Sequence, residues 1–233
     1  MSRQAGVVAV TSLAHEASIA RGPGVSVIYN QSAGLGAALS AAIVRGTSGI
    51  ISFGIAGGLA SDLVAGDWVV ASGVRNGKNV IATDRTWTQS LLEILPDAVH
   101  AEVVGADAVV QNPSDKFDLY NATGAAAVDM ESHIVAEIAA KHRIPFVACR
   151  VIIDSAPRAL PPAATIGLRL DGTPDVPAVF RSVCRNPRQI PDLMRITVDA
   201  YVARRALRAG RKQLGEGLGF PYYECFGRPL VVA

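Results

Sequence analysis

"AVDMESHIVAEIAAKHRIPFVACRVIIDSA", residues 127–156, reads as strand, helix and strand in immediate succession. A short apolar run ends at Asp129, the pattern "SHIVAEIAAKHR" has helical periodicity, and "IPFVACRVII" returns as a strand. On a wheel of about 100° per residue, Ile134, Val135, Ile138 and Ala139 share one arc, with Glu131 near its middle. His133, Glu137 and Lys141 take the other side, and Glu137 and Lys141 have the spacing of an i,i+4 ion pair. The Glu131 carboxylate is therefore expected to point at the core. A buried, unpaired charge costs several kcal/mol or changes its protonation state, so it needs compensation. Free backbone N–H groups at the helix start could supply part of it. An acid that merely caps its own helix fits the same position, and position alone does not separate the two.

The same alternation extends outward. "GVVAVTS", "VSVIYN", "GIISFG", "DWVVASGV" and "VHAEVVGAD" read as strands, with "GAALSAAIVRG" and "WTQSLLEIL" as helices between them. Nearly continuous apolar strands imply a sheet covered on both faces, hence a layered α/β fold. The length of 233 residues suits one domain with an appendage, and 50% apolar against 18% charged residues fits a globular chain. A net charge of +2 is too weak to imply nucleic acid. Three widely spaced cysteines, Cys149, Cys184 and Cys225, suit reduced thiols in a cytoplasmic protein, with Cys149 in the core. The start "MSRQAGVVAVTSLAHEAS" has too short an apolar run for a signal peptide and fits a first core strand better. No stretch approaches the roughly 20 apolar residues of a spanning helix.

Past Ala156 the composition changes. Seven of the 13 prolines fall between Pro157 and Pro191, so residues 157–191 are expected to wrap the core or a site. A basic helix is expected over about 192–213. From Arg195 to Lys212 it carries six basic residues against Asp199, and Ile196, Ala200, Ala203 and Leu207 could line one face.

Several familiar signals fail. "AGLGAAL" lacks the third glycine of a dinucleotide loop, GxxxxGK[ST] and GxSxG are absent, and the four histidines have no metal spacing. No metal and no cofactor are expected. Three acids remain at strand ends: Glu16, Glu131 and Asp154. Ligands of α/β sheets gather beyond the carboxyl ends of strands. An Asp after the apolar run "VIID" is partly desolvated, which raises its pKa and lets it carry a proton near neutrality. Singly, Glu16 could be a surface acid and Asp154 could cap a turn with Ser155. Together with "GIAGGL" after another strand, they point to a site. Gly54, Gly57 and Gly58 would allow positive φ and a close approach of backbone amides to a small polar ligand.

The arrangement resembles the nucleoside phosphorylase/nucleosidase superfamily. "ISFGIAGGLASDLVAGDWVVAS" is similar to its "TGxAGGL…xxGDxVV" block, and residues 127–156 are similar to its "VxMEx…IPFxxxRxISDxA" block. "VTSLAHEA" resembles the start of the methylthioadenosine/S-adenosylhomocysteine nucleosidase branch. With "SAPRALPPAATIGLRLDGTPDV" included, the nearest resemblance is to the hopanoid-associated phosphorylases, which are assigned to removing adenine from the lipid nucleoside adenosylhopane. The resemblance implies a single three-layer α/β/α domain around a mixed, partly barrel-like sheet. It also implies cleavage of an N-glycosidic bond through an oxocarbenium-like ribosyl cation. By it, Asp154 is the general acid at N7 of the adenine, and Glu131 grips the ribose hydroxyls beside the cation. Met130 packs under the ribose, Val109 and Val110 hold the base, Ala56, Gly57 and Gly58 shape the nucleophile pocket, and Glu16 activates water.

Three departures bear on these roles. Ser52 stands where many phosphorylases carry an arginine for phosphate, Ile153 replaces a serine, and Val109 stands in place of a stacking Phe. The first favours water over phosphate, although Arg21 or Arg45 could still serve phosphate as a co-substrate. The implied partners are a lipid nucleoside and further copies of the chain in a homo-oligomer, with no nucleic acid. Peripheral contact with the inner face of the membrane through the basic helix, and burial of the terminal "GFPYYECFGRPLVVA" against lipid or a subunit, are further expectations. The rival readings are a nucleosidase for soluble methylthioadenosine or S-adenosylhomocysteine, and a non-catalytic nucleoside-binding protein.

Overall fold

The computed structural model describes residues 6–29, 34–162 and 176–221. The first half of the "SAGLG" loop, residues 163–175 of the Pro-rich segment, and the tail beyond Pro221 with Cys225 lie outside them. In chain order the elements are β1 (Gly6–Thr11), α1 (Ala14–Ala20), β2 (Val25–Tyr29), α2 (Leu35–Val44), β3 (Thr47–Gly58), β4 (Trp68–Asn76) and β5 (Asn79–Ala82). They continue as α3 (Arg85–Ile94), β6 (Val99–Gly105), α4 (Pro113–Thr123), β7 (Ala127–Asp129), α5 (Ser132–His142) and β8 (Phe146–Asp154). After the Pro-rich segment come α6 (Val176–Arg185) and the long α7 (Ile190–Gln213).

Five strands close on themselves. β3 pairs with β7, β7 with β6, β6 with β4, β4 with β8, and β8 with β3, while β1 and β2 extend the sheet from β3. The sheet is mixed: β3 runs parallel to β1 and β8 but antiparallel to β7. Period-2 alternation builds two cores on its faces. Val8, Val10 and Ile50 meet Leu35 and Leu39 of α2 and Val135 and Ala139 of α5. Their neighbours Val7, Ala9 and Ile51 meet Ala20 of α1, Trp87 and Leu91 of α3, and Ala203 and Leu207 of α7. The three-layer α/β/α arrangement follows. Of the α7 face expected from Ile196, Ala200, Ala203 and Leu207, the last two are fully buried and the first two half-buried, and Cys149 is fully buried in β8.

The glycines of "GIAGGL" are not a loop, because β3 continues through them to Gly58, and Gly57 and Gly58 have no positive φ. The helix opens at Ser132, so Glu131 is its N-cap residue and not a member of its apolar arc. His133 is buried instead of solvated, and Glu137 accepts a hydrogen bond from Asn76 Nδ2 (2.6 Å) in place of a pair with Lys141. Within the tail, Phe220 is buried against this chain's own Trp87, edge-on with centroids 4.8 Å apart.

Candidate active site

The carboxyl ends of β1, β3, β7 and β8 converge on one cavity of about 470 Å³, a usual size for a small-molecule site. The ends of β1, β7 and β8 each deliver an acid, β3 contributes backbone through Ile55, Ala56 and Gly57, and the groups depend on one another.

At the end of β1 the chain turns into α1 and brings Glu16 back over the strand. Its side chain is fully buried. Oε2 accepts from the N–H groups of Leu13 (2.9 Å) and Ser12 (3.1 Å), and Oε1 from the N–H of Ile55 (2.7 Å). Gly54 makes room for this. It has a φ of +159°, and a Cβ there would lie 2.5 Å from Glu16 Oε1 and 2.9 Å from Arg150 Nη1.

At the end of β7, Asp129 caps α5. Its Oδ1 accepts from the N–H groups of Glu131 (3.1 Å) and Ser132 (2.9 Å). The free amides expected to compensate Glu131 are therefore taken by Asp129, and no cap bond reaches the Glu131 side chain. Glu131 is compensated from β8 instead. Arg150, fully buried inside that apolar strand, places Nη2 3.6 Å from Glu131 Oε2 and Nε 2.7 Å from Asp129 Oδ2. Nη2 also donates to Ser52 Oγ (2.5 Å) and Ser132 Oγ (3.1 Å). One guanidinium thus serves a group of three acids, Asp129, Glu131 and Glu16, and cannot neutralise them all. Burial, opposed by Arg150 and reinforced by Asp129 and Glu16, pushes the Glu131 carboxyl up to about 7.

At the end of β8 the pairing with β3 slips, from Ala56 opposite Ile152 to Gly57 opposite Asp154. The extra residue, Ile153, turns the Asp154 carboxyl toward the cavity. Asp154 pairs with Lys116 of α4, whose Nζ also donates to the carbonyls of Ser155 (3.1 Å) and Arg158 (3.3 Å). It therefore does not cap a turn with Ser155. Burial raises the Asp154 pKa, with Lys116 opposing. A carboxyl so placed can carry a proton to a basic atom in the cavity.

Of the residues singled out from sequence, Asp154, Glu131, Met130, Val109, Val110, Ala56 and Gly57 line the cavity. Glu16 sits just behind Ser12, Leu13 and Ile55, which do line it. Gly58 does not line it; a Cβ there would face the Asp154 carbonyl. Arg21 and Arg45 are exposed helix C-caps and do not line it either. Sequence reasoning assigned no role to Arg150, Asp129 or Lys116. Arg150 carried a signal, a charge inside "VACRVII"; Lys116 carried none.

A sheet closed through five strands with an acid-lined cavity at its carboxyl ends defines a class, and sequence comparison agrees with it. Residues 6–171 match the family model of the phosphorylase superfamily, and the chain belongs to that family, whose chemistry is N-glycosyl cleavage. Solved structures share the fold. Futalosine hydrolase of Helicobacter pylori strain 26695 superposes with a TM-score of 0.64 at 15% identity, covering 92% of this chain and 100% of that one. A 5'-methylthioadenosine/S-adenosylhomocysteine nucleosidase from Colwellia psychrerythraea 34H, in complex with adenine, does so at 0.63 and 16%, covering 92% and 97%. The S-adenosylhomocysteine nucleosidase of Streptococcus pyogenes follows at 0.59 and 16%, covering 89% and 98%. No curated protein matches the sequence. No helix among the described residues is long and apolar enough to cross a membrane.

Proposed function

We propose that this protein hydrolyses the N-glycosidic bond of an adenine nucleoside with a large apolar substituent, adenosylhopane being the candidate, and releases adenine. The observation that carries the reading is a pair of acids lining one cavity: Asp154, with its raised pKa, and Glu131 beside Arg150. Asp154 gives its proton to N7 as the C1'–N9 bond breaks. Glu131 holds the ribose hydroxyls and stabilises the cation that develops next to them. Glu16 receives the proton of the water that adds to C1', after exchanging one of its backbone bonds for that water. Met130 supports the ribose, and Val109 with Val110 borders the base. Nucleoside and water in, adenine and the free ribosyl product out, balance the reaction.

Water is favoured over phosphate. An anionic nucleophile needs a cation facing the cavity, but Arg150 is engaged by carboxylates, and neither Arg21 nor Arg45 lines the site. The apolar substituent is suggested by Leu160, from the Pro-rich segment, and Ile196, from α7, which wall the cavity beside Ile153. Adenine as the leaving base is consistent with the adenine complex of the Colwellia nucleosidase.

The test is incubation with adenosylhopane in detergent, with and without phosphate, and mass identification of both products. Adenine and unphosphorylated ribosylhopane in phosphate-free buffer are expected. A strict phosphate requirement would overturn hydrolysis. Preference for methylthioadenosine in competition would overturn the lipid substrate, and no adenine from either would leave a binding protein.

A further inference from the structure

Helices α6 and α7 combine two features that the cavity does not use. Residues 176–213 hold nine basic side chains and two acidic ones in a chain whose net charge is +2. The basic charge is thus concentrated here, and the rest of the molecule is acidic on balance. Large apolar side chains also stand out in solvent: Phe180 on α6 is 68% exposed, and Met194, Val198 and Tyr201 on α7 are 60–67% exposed. At 100° per residue, Met194, Val198 and Tyr201 share one stripe with Arg205, Arg208 and Lys212. Tyr201, Arg204, Arg205, Arg208 and Lys212 surround one recess in it. The stripe is apolar toward the start of the helix and cationic toward its end. The opposite face of α7 carries Ile196 into the cavity.

We propose that this face docks the protein on an anionic lipid bilayer. The guanidinium groups and Lys212 meet the phosphates, while Phe180, Met194, Val198 and Tyr201 enter the headgroup–acyl boundary. A second copy of the chain fits less well, because a two-fold interface sets like patch on like patch and would oppose two strongly cationic faces. Nucleic acid would satisfy the cations but leave Phe180, Met194 and Val198 without a partner. A bilayer takes both. Docking places the cavity about one helix diameter, roughly 10 Å, from the membrane surface. This is where an enzyme acting on a membrane-resident nucleoside would need it; that bearing on the substrate rests on the proposed reaction, whereas the docking does not.

The test is co-sedimentation of the full chain with phosphatidylcholine vesicles, with and without phosphatidylglycerol, at low and high salt. Binding is expected to require phosphatidylglycerol and to weaken with salt. At about fivefold per basic side chain near the surface, Arg204→Ala, Arg205→Ala and Arg208→Ala together should weaken it about 100-fold. Met194→Asp with Val198→Asp should abolish it even at low salt, with the helical circular dichroism unchanged. Absence of wild-type binding, or equal binding to neutral vesicles, overturns the proposal. So does an oligomer that the aspartates dissolve in the absence of any vesicle binding, which would make the face a subunit interface. Binding of a DNA oligonucleotide without vesicle binding overturns it in favour of nucleic acid. Adenine release is measured separately, so failure of the reaction and failure of docking are distinguishable.

Discussion

Asp154 and Lys116 form a buried pair in which burial favours the neutral carboxyl and the lysine opposes it, and that balance sets what the site can do. Asp154→Asn keeps the shape of the side chain but has no proton of suitable acidity to give. It is expected to lower the rate of adenine release by about 10²–10⁴, the usual worth of a placed acid, while calorimetry shows nucleoside binding retained. Full activity in this variant would remove Asp154 from the mechanism. Lys116→Met removes the charge that opposes the burial effect, so the Asp154 carboxyl should stay protonated to higher pH. The basic limb of the pH–rate profile then moves upward. Stability should fall by about 1–3 kcal/mol in urea unfolding, because the carbonyls of Ser155 and Arg158 lose their donor. An unmoved profile would mean that Lys116 only fills space. Asp154 could be singled out from sequence because an acid ending an apolar strand is locally incongruous. Lys116 could not, since it sits in the polar run "PSDKFDLYNAT" and only the fold turns that lysine inward.

The elements divide along the same physical line. β1, β2, β3, β4, β6 and β8 and helices α2, α3 and α5 could be read because each packs an apolar pattern against the core. α4 has ordinary end signals, with Asn112 and Pro113 at its start and Gly124 at φ 69° past its end. Its one buried residue is Lys116, however, so it has no apolar stripe to betray it. β5 is a largely exposed edge of four residues, and the slip that aims Asp154 depends on β3 and β8 being paired. By sequence β3 is a strand with a glycine loop after it, whereas in the fold the glycines belong to the strand, and Gly54 admits side chains from α1 and β8. Gly54→Ala tests that reading. The added methyl would enter the space of the Glu16 carboxylate and Arg150 guanidinium. Overpacking of this kind costs about 1–3 kcal/mol, to be read from thermal or urea unfolding. Adenine release should fall much further than in Gly46→Ala, where a Cβ meets nothing and only the positive φ is strained. Equal effects at the two positions would mean that Gly54 serves the backbone alone.

For the molecule as a whole, the buried acid cluster makes a specific statement about stability and pH. The Glu131 carboxyl titrates at 4.5 when exposed and at about 7 in the fold, so between these values the folded state holds a proton that the unfolded state has lost. Stability falls with rising pH wherever the native state binds more protons. The contribution of this group is therefore full below about pH 4.5 and is lost as the pH rises through about 7. Asp154, also raised, acts in the same sense. Other carboxylates overlay their own slopes, so the measurement is a difference: urea unfolding of the wild type and of Glu131→Gln across pH 4.5 to 8, with the wild type losing stability relative to the variant as the pH rises. Activity should run the other way on its acid side. A carboxyl that must be ionised to stabilise a ribosyl cation gives a limb near pH 7 in adenine release, absent in the Gln variant's residual rate. A stability difference that is flat with pH would mean that Arg150 keeps Glu131 ionised throughout. Glu131 would then owe its ionisation to the guanidinium 3.6 Å away, and Arg150→Met should restore the slope.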